Sequence, residues 1–357
     1  MSCPRVLLHR TIRHKLLSPR FSVPANASRL MYSCTHSAMH KRTLSTHRNL
    51  HEKSTVAHGE WMKPVPVSYN KRDSILYSLG IGSDDLEYVF EHHPAFSIFP
   101  TYPLVLGFKG DSSDVVGFPS KAMEVWDDVF KGFPPLPPGS LLDAERRYEL
   151  LKPLPVDGGD FLLYSRLKCL LDKRKFGSIE MEFKLMDKES KHEYARFVSG
   201  TAAVGLKGFE PFGETSFESV VRPDRPADSI VKDRVADNQA HIYRLSGDYN
   251  TLHIDPEVAK NVGFDQPILH GLCTLGFAVR AVLKTYCDND SSKFKTVRVR
   301  WSAPVFPGDV LETRMWVMDS SESDASNSAT RVQFEVVAAD RDNSRVISSA
   351  YVDYHSS

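Results

Sequence analysis

Asp248, Asn250, His253, Asp255, His270 and Gly271 fall within one short stretch, YRLSGDYNTLHIDPEVAKNVGFDQPILHGLC (Tyr243 to Cys273). Asp, Asn and His at i, i+2 and i+5 fit neither one face of a helix nor one side of a strand. They fit a loop that folds its polar groups toward one point. A carboxylate and an imidazole converging there can hold and activate a water molecule, which is acid–base chemistry. Each residue alone has a plainer reading. Asp248 in SGDYN suits a turn, and Asp255 suits a helix cap. His253 suits a hydrogen-bonded histidine, and His270 can simply pack at the head of a helix. The chemistry is carried by the arrangement and not by any one residue.

The flanking sequence positions these groups. Asp237 is placed to cap a short helix from Asn238 to Ser246, with Gly247 as its stop. Asp255-Pro256 reads as the N-cap and first position of a second short helix, closed by Gly263. After Gly271, Leu272, Leu275, Val279, Val282 and Leu283 recur at helical spacing, with Gly276 and Ala278 allowing close approach. A buried helix starting at Gly271 would present free N–H groups, an oxyanion site.

The pattern D-x-N-x-x-H-x-D-P followed by G-F-x-x-P-I-L-H-G-L-C resembles the hydratase 2 motif of the MaoC-like (R)-specific enoyl-CoA hydratases. NKRDSILYSLGIG, FPTYPLVLGF and YELLKPLP resemble the degenerate first domain of the eukaryotic members, so the likeness runs from about Tyr69 to the C-terminus. One departure is Thr251, where the family usually has Pro; that position shapes the loop and supplies no chemistry. The resemblance implies reversible addition of water to a trans-2-enoyl-CoA, giving a (3R)-hydroxyacyl-CoA. It assigns Asp248 and His253 to hold the water and transfer protons. Asn250 would orient the water or the His, and the Gly271 N–H would polarise the thioester carbonyl. His270 is a further pocket candidate. A conjugated thioester needs just such a donor at its oxygen and a base at the water. No cofactor is expected beyond the CoA of the substrate, since neither GxGxxG after a strand nor GxxxxGK[ST] is present. A metal centre from His253, Asp255 and His270 is supported neither by the H-x-D spacing nor by the family.

The chain of 357 residues suggests two domains, and its 41% hydrophobic content suffices for packed cores. No apolar run reaches membrane-helix length. Five cysteines without a CxxC pair argue against a disulfide scaffold, and Cys273 reads as a small packing residue. The net charge of zero conceals an asymmetry. Residues 1–51 carry nine Lys or Arg, six His and no acid, leaving 36 basic against 45 acidic groups in the rest. The acidic remainder argues against nucleic-acid binding. The basic, hydroxyl-rich tail matches an organellar presequence, which predicts a mitochondrial matrix enzyme. Peroxisomes are the alternative that the family suggests, although the terminal Tyr354-His355-Ser356-Ser357 lacks a Ser-Lys-Leu-like signal.

Trp61 to Ser68 reads as a linker, Lys71 to Leu79 as a helix and LEYVFEHH as a second short helical segment. GFPPLPPGS (132–140) is a Pro-rich loop. Strand-like runs follow at Glu149 to Leu151, Phe161 to Leu171, Ser178 to Met186 and Tyr194 to Leu206. Val220 to Ala236 is polar and reads as the crossing between halves. The second half has strands at Thr296 to Trp301, Val310 to Met318, Thr330 to Ala338 and Val346 to Tyr354, with a polar hairpin loop from Asp319 to Ser328. KPLPVDGGD faintly echoes APVFPGD. This fits two copies of one α+β unit. The resemblance makes that a tandem hot-dog fold, each repeat an antiparallel sheet around a central helix. The expected division is a tail and linker at 1–60, a degenerate acyl-binding repeat at 61–220 and a catalytic repeat at 221–357.

The reading is therefore a hydro-lyase of fatty-acid β-oxidation or related metabolism, with an acyl-CoA thioester as its partner molecule. Alternatives keep the fold. One is a (3R)-hydroxyacyl-ACP dehydratase of mitochondrial fatty-acid synthesis. Another is a hot-dog acyl-CoA thioesterase, which would aim water at the carbonyl carbon. A non-catalytic acyl-CoA-binding module would not need Asp248 and His253. Assembly is left open, with a homodimer as one expectation.

Overall fold

The computed structural model describes residues 59–124, 129, 139–318 and 329–355. The basic tail, most of the Pro-rich loop and the 319–328 hairpin loop lie outside the described residues. Ten strands form one antiparallel sheet. The first five are β1 (Val65–Tyr69), β2 (Leu141–Leu150), β3 (Gly159–Asp172), β4 (Phe176–Asp187) and β5 (Glu193–Val204). The second five are β6 (Ser229–Arg234), β7 (Phe294–Trp301), β8 (Val310–Val317), β9 (Ala329–Ala338) and β10 (Ser344–His355). Their order is β1-β3-β4-β5-β2-β7-β10-β9-β8-β6. The second five repeat the order of the first in mirror sequence, so the sheet has an internal two-fold arrangement about the β2–β7 seam. Across that seam Arg146 faces Val299 and Tyr148 faces Val297.

Three segments differ from the sequence reading, each for a physical reason. The linker at Trp61 to Ser68 contains β1. It is an edge strand, and an edge tolerates Pro66 because only one side of it must pair. The polar crossing contains β6, the opposite edge, with exposed and half-exposed residues alternating and hence no apolar signal. β2 begins eight residues before Glu149. Its first three residues are exposed, and a bulge between Asp143 and Glu145 breaks the period.

Helices α1 (Lys71–Gly80), α2 (Leu86–Val89) and α3 (Leu106–Lys109) lie between β1 and β2. Asn70 and Asp73 close a reciprocal capping box at the start of α1. In the second repeat, α4 (Gln239–Tyr243), α5 (Pro256–Asn261) and α6 (Gly271–Tyr286) precede β7. Every residue of α6 from Leu272 to Leu283 is buried. The two repeats are not alike here. Among the described residues, no helix between β1 and β2 exceeds the ten residues of α1. Aromatic rings fill that core instead: Tyr69 meets Tyr102 edge-on at 5.3 Å, and Phe183 stacks on Phe197 at 4.5 Å. No helix among the described residues is long and apolar enough to cross a membrane.

The repeats are docked where α1 ends. Gln239 Nε2 donates to the Leu79 and Gly80 carbonyls at 3.1 and 2.6 Å, engaging the C-terminal end of α1. The Cys273 thiol donates to the Gly80 carbonyl at 3.2 Å, and the Arg280 guanidinium bonds the Gly82 carbonyl and Asp233. A Cβ on Gly276 would overlap the Ile81 side chain, so the glycine allows the first repeat to seat directly on α6. Burial holds the Cys273 thiol well above its ordinary pKa, consistent with a packing residue and not a nucleophile.

Candidate active site

The loop that carries Asp248, Asn250 and His253 runs from the end of α4 to the start of α6. A 3-10 turn at Arg244–Ser246 ends at Gly247, whose φ of 126° gives the chain a left-handed exit into Asp248. Asp237 does not cap α4. It pairs with Arg234 at 3.0 Å on the surface, and Asn238 occupies the N-cap position without a side-chain cap bond. Asp255 does cap α5, accepting from the Glu257 and Val258 N–H groups.

His253 lies in a second 3-10 turn, Thr251–His253. The Asn250 side chain caps that turn by accepting the Leu252 N–H at 3.1 Å. The Asn250 N–H in turn donates to the Asp248 carboxylate at 3.2 Å. Asn250 therefore sets the directions of both neighbours, Asp248 through its backbone and His253 through the turn. His253 Nδ1 bonds the Ile268 carbonyl at 2.9 Å. A carbonyl only accepts, so Nδ1 carries the proton and Nε2 offers a lone pair.

His270 stacks on His253 with ring centroids 3.7 Å apart, and Tyr243 backs it at 4.9 Å. Its Nε2 donates to the Asp248 carbonyl at 3.1 Å, tying the loop to the N-cap of α6. It is 1% exposed, and its Nδ1 has no partner among the described residues. The sequence left His270 between pocket and packing. The structure makes it the buried brace behind His253.

Burial pushes the Asp248 carboxyl above its ordinary pKa, while His253, the Asn250 N–H and Arg146 pull it back. Burial lowers the His253 pKa against the opposing effect of Asp248, and lowers that of His270 further, with His253 adding to the shift. The imidazoles are thereby kept neutral, the form in which His253 Nε2 accepts. Asp248, His253 and His270 each bring a ligand atom within 4.8 Å of the others. The two rings lie 27° from parallel.

The Gly271 N–H begins α6, and no described residue accepts it. Trp301 on β7 donates its indole N–H to the Gly271 carbonyl at 2.8 Å. The space beside Gly271 is therefore filled by Trp301, which the sequence reading missed. It missed Arg146 on β2 too, which lies 5.9 Å from the Trp301 ring and pairs with Asp143 at 2.6 Å. An open groove of about 590 Å³ lies elsewhere, on the outer sheet face, lined by Arg222, Arg331 and Gln333 among others. Its lining includes none of the acid–base residues.

Comparison with known proteins agrees with this anatomy. Residues 67–205 match the MFE-2 hydratase 2 N-terminal domain, and residues 218–338 match the MaoC-like domain. The probable enoyl-CoA hydratase 2 of Dictyostelium discoideum is 34% identical over 294 residues, covering 81% of this chain and 92% of that one. The peroxisomal multifunctional enzyme type 2 of Mus musculus is 35% identical over 313 residues; the match covers 83% of this chain but only 38% of the mouse protein. The crystal structure of a MaoC-like dehydratase from Phytophthora capsici superposes with a TM-score of 0.76 at 36% identity, covering 86% of this chain and 98% of that one. A doubled hot-dog sheet, a loop that gathers Asp248 and His253 at the head of α6, and relatives matched through both halves place this chain in the MaoC-like hydratase 2 family.

Proposed function

We propose that the protein is a trans-2-enoyl-CoA hydratase 2, equivalently a (3R)-hydroxyacyl-CoA dehydratase. The observation that carries this is two acceptors at one point, the Asp248 carboxylate and His253 Nε2, with the Gly271 N–H at the head of α6 free of any partner among the described residues. A water has two hydrogens to give to those two acceptors, which leaves an oxygen lone pair free for C3 of the enoyl group. As the C3–O bond forms, the C2=C3 π pair moves toward the thioester oxygen, where the Gly271 N–H stabilises it. The proton that the acid–base pair takes from the water returns to C2. No electron leaves the system, so the reaction calls for no redox cofactor. The runner-up carrier, ACP, would use the same chemistry.

The acyl tail is assigned to the first repeat. A satellite apolar cluster there includes Leu167, Leu170 and Ile179, apart from the main core. Each methylene buried contributes up to about 0.8 kcal/mol. The purified protein is expected to consume crotonyl-CoA and a long-chain enoyl-CoA, followed by loss of enoyl-thioester absorbance, with chiral analysis giving the 3R product. Ile179→Trp should lower kcat/KM for the long substrate more than for crotonyl-CoA. Activity on four-carbon substrates alone would defeat the tail assignment, and release of free CoA in place of hydration would favour a thioesterase.

For location, several relatives are named as peroxisomal. The mitochondrial address rests on the composition of residues 1–51 alone. Fusing residues 1–60 to a fluorescent protein is expected to direct it to mitochondria; peroxisomal or diffuse fluorescence would overturn that address and leave the chemistry untouched.

A further inference from the structure

The Gly271 N–H can serve a thioester oxygen only if its direction is fixed, and the helix alone does not fix it. Glycine lacks the Cβ that restricts φ and ψ. The N–H groups of a first helical turn have no partner within the helix. Gly271 combines both: it is the first residue of α6, and its N–H has no acceptor among the described residues. His270, at the N-cap, makes no side-chain cap bond. The restraint comes from another element. Trp301, the last residue of β7, donates its indole N–H to the Gly271 carbonyl at 2.8 Å. The ring also occupies the place of the missing side chain, since a Cβ on Gly271 would lie 3.1 to 3.4 Å from indole atoms.

The indole is itself held. Trp301 pairs with Ile347 of β10, and the Arg146 guanidinium lies over its ring, 5.9 Å from the centroid. Arg146 is 7% exposed, and its Nη2 pairs with Asp143 at 2.6 Å. The bulge between Asp143 and Glu145 lets these two residues, three apart on β2, share one side.

We propose that Trp301 is a positioning residue for hydration, its indole fixing the Gly271 backbone so that the N–H meets the thioester oxygen. In this role the indole acts through Gly271 and exchanges no proton.

This inference deepens the hydratase reading and rests on it. The probe is butyryl-CoA carrying a heavy carbon isotope at its carbonyl, a saturated thioester with no double bond to hydrate, followed by isotope-edited infrared spectroscopy. A hydrogen bond to the carbonyl lowers its stretching frequency, so binding to wild type is expected to lower the band relative to free butyryl-CoA. Trp301→Phe keeps a ring beside Arg146 and removes the N–H. It should lose a large part of that band shift and about tenfold in kcat with crotonyl-CoA, near the upper end of one hydrogen bond's net effect, while KM changes by less than about twofold. Benzothienylalanine in place of Trp301 keeps the bicyclic shape and puts sulfur where the N–H was. It should behave as Trp301→Phe does, and it decides alone if Trp301→Phe does not fold. The inference is overturned if either the band or kcat keeps its wild-type value in the folded variants. Wild type that hydrates crotonyl-CoA yet leaves the butyryl-CoA band at its free position overturns the oxyanion assignment of Gly271, and this inference with it. Wild type inert toward crotonyl-CoA overturns the hydratase reading itself.

Discussion

Asp248→Asn is expected to lower turnover by about two to four orders of magnitude with the fold intact. The amide keeps an oxygen for the Asn250 N–H, so the loop conformation survives. It replaces the second carboxylate oxygen with a donor, which cannot accept a hydrogen from water. His253→Gln should cost a similar factor. Its amide can still donate to the Ile268 carbonyl, but the Nε2 lone pair is gone. Asn250→Ala should be milder. It removes the cap of the turn that carries His253, a loss of about 1 kcal/mol of local order, and leaves both proton acceptors in place. Turnover with crotonyl-CoA, alongside circular dichroism and a thermal midpoint, separates chemistry from folding. Near-wild-type turnover in both the Asp248 and His253 variants would remove them from the mechanism.

Gly271→Val is expected to cost at least about two orders of magnitude, the usual loss when one oxyanion donor is displaced. A Cβ at this position would lie 3.1 Å from Trp301 Nε1 and 3.2 Å from its Cε2. The branched side chain must push the indole away or tilt the first turn of α6, and either movement shifts the Gly271 N–H. A second cause of loss would be direct blockage of a thioester oxygen approaching the Gly271 N–H. The two causes are separable. If Trp301 is the obstacle, Trp301→Leu in the Gly271→Val background restores part of the lost activity, a coupling that a double-mutant cycle measures. Full activity in Gly271→Val would place the thioester elsewhere.

The loop of the candidate site was legible because its signals are local. Gly247, the Asp255-Pro256 cap and the helical spacing after Gly271 each depend on neighbouring residues, and each appears in the structure. Strands β7 to β10 were legible within a few residues for the same reason. What escaped were features set by distant partners. Pro66 and the polar β6 look like linker until their place at the sheet edges is known. Trp301 reads as a strand end until its indole meets Gly271. Arg146 and Asp143 sit three apart in a charged run, and only the bulge and the seam bring them to one point near a loop about a hundred residues later. Asp237 had the right residue type for a cap, but Arg234 competed for it.

The seam between β2 and β7 also has a consequence for behaviour in dilute solution. In a hot-dog assembly of two separate chains, groups contributed across such a seam part company when the subunits dissociate. Here both halves belong to one polypeptide, so the segment between β5 and β6 replaces a bimolecular encounter with an effective concentration in the millimolar range. The part of the site that Arg146 and Asp143 supply is then independent of how much protein is present. Such tethering also frees the two halves from having to be identical, since each has a fixed partner and neither must match itself.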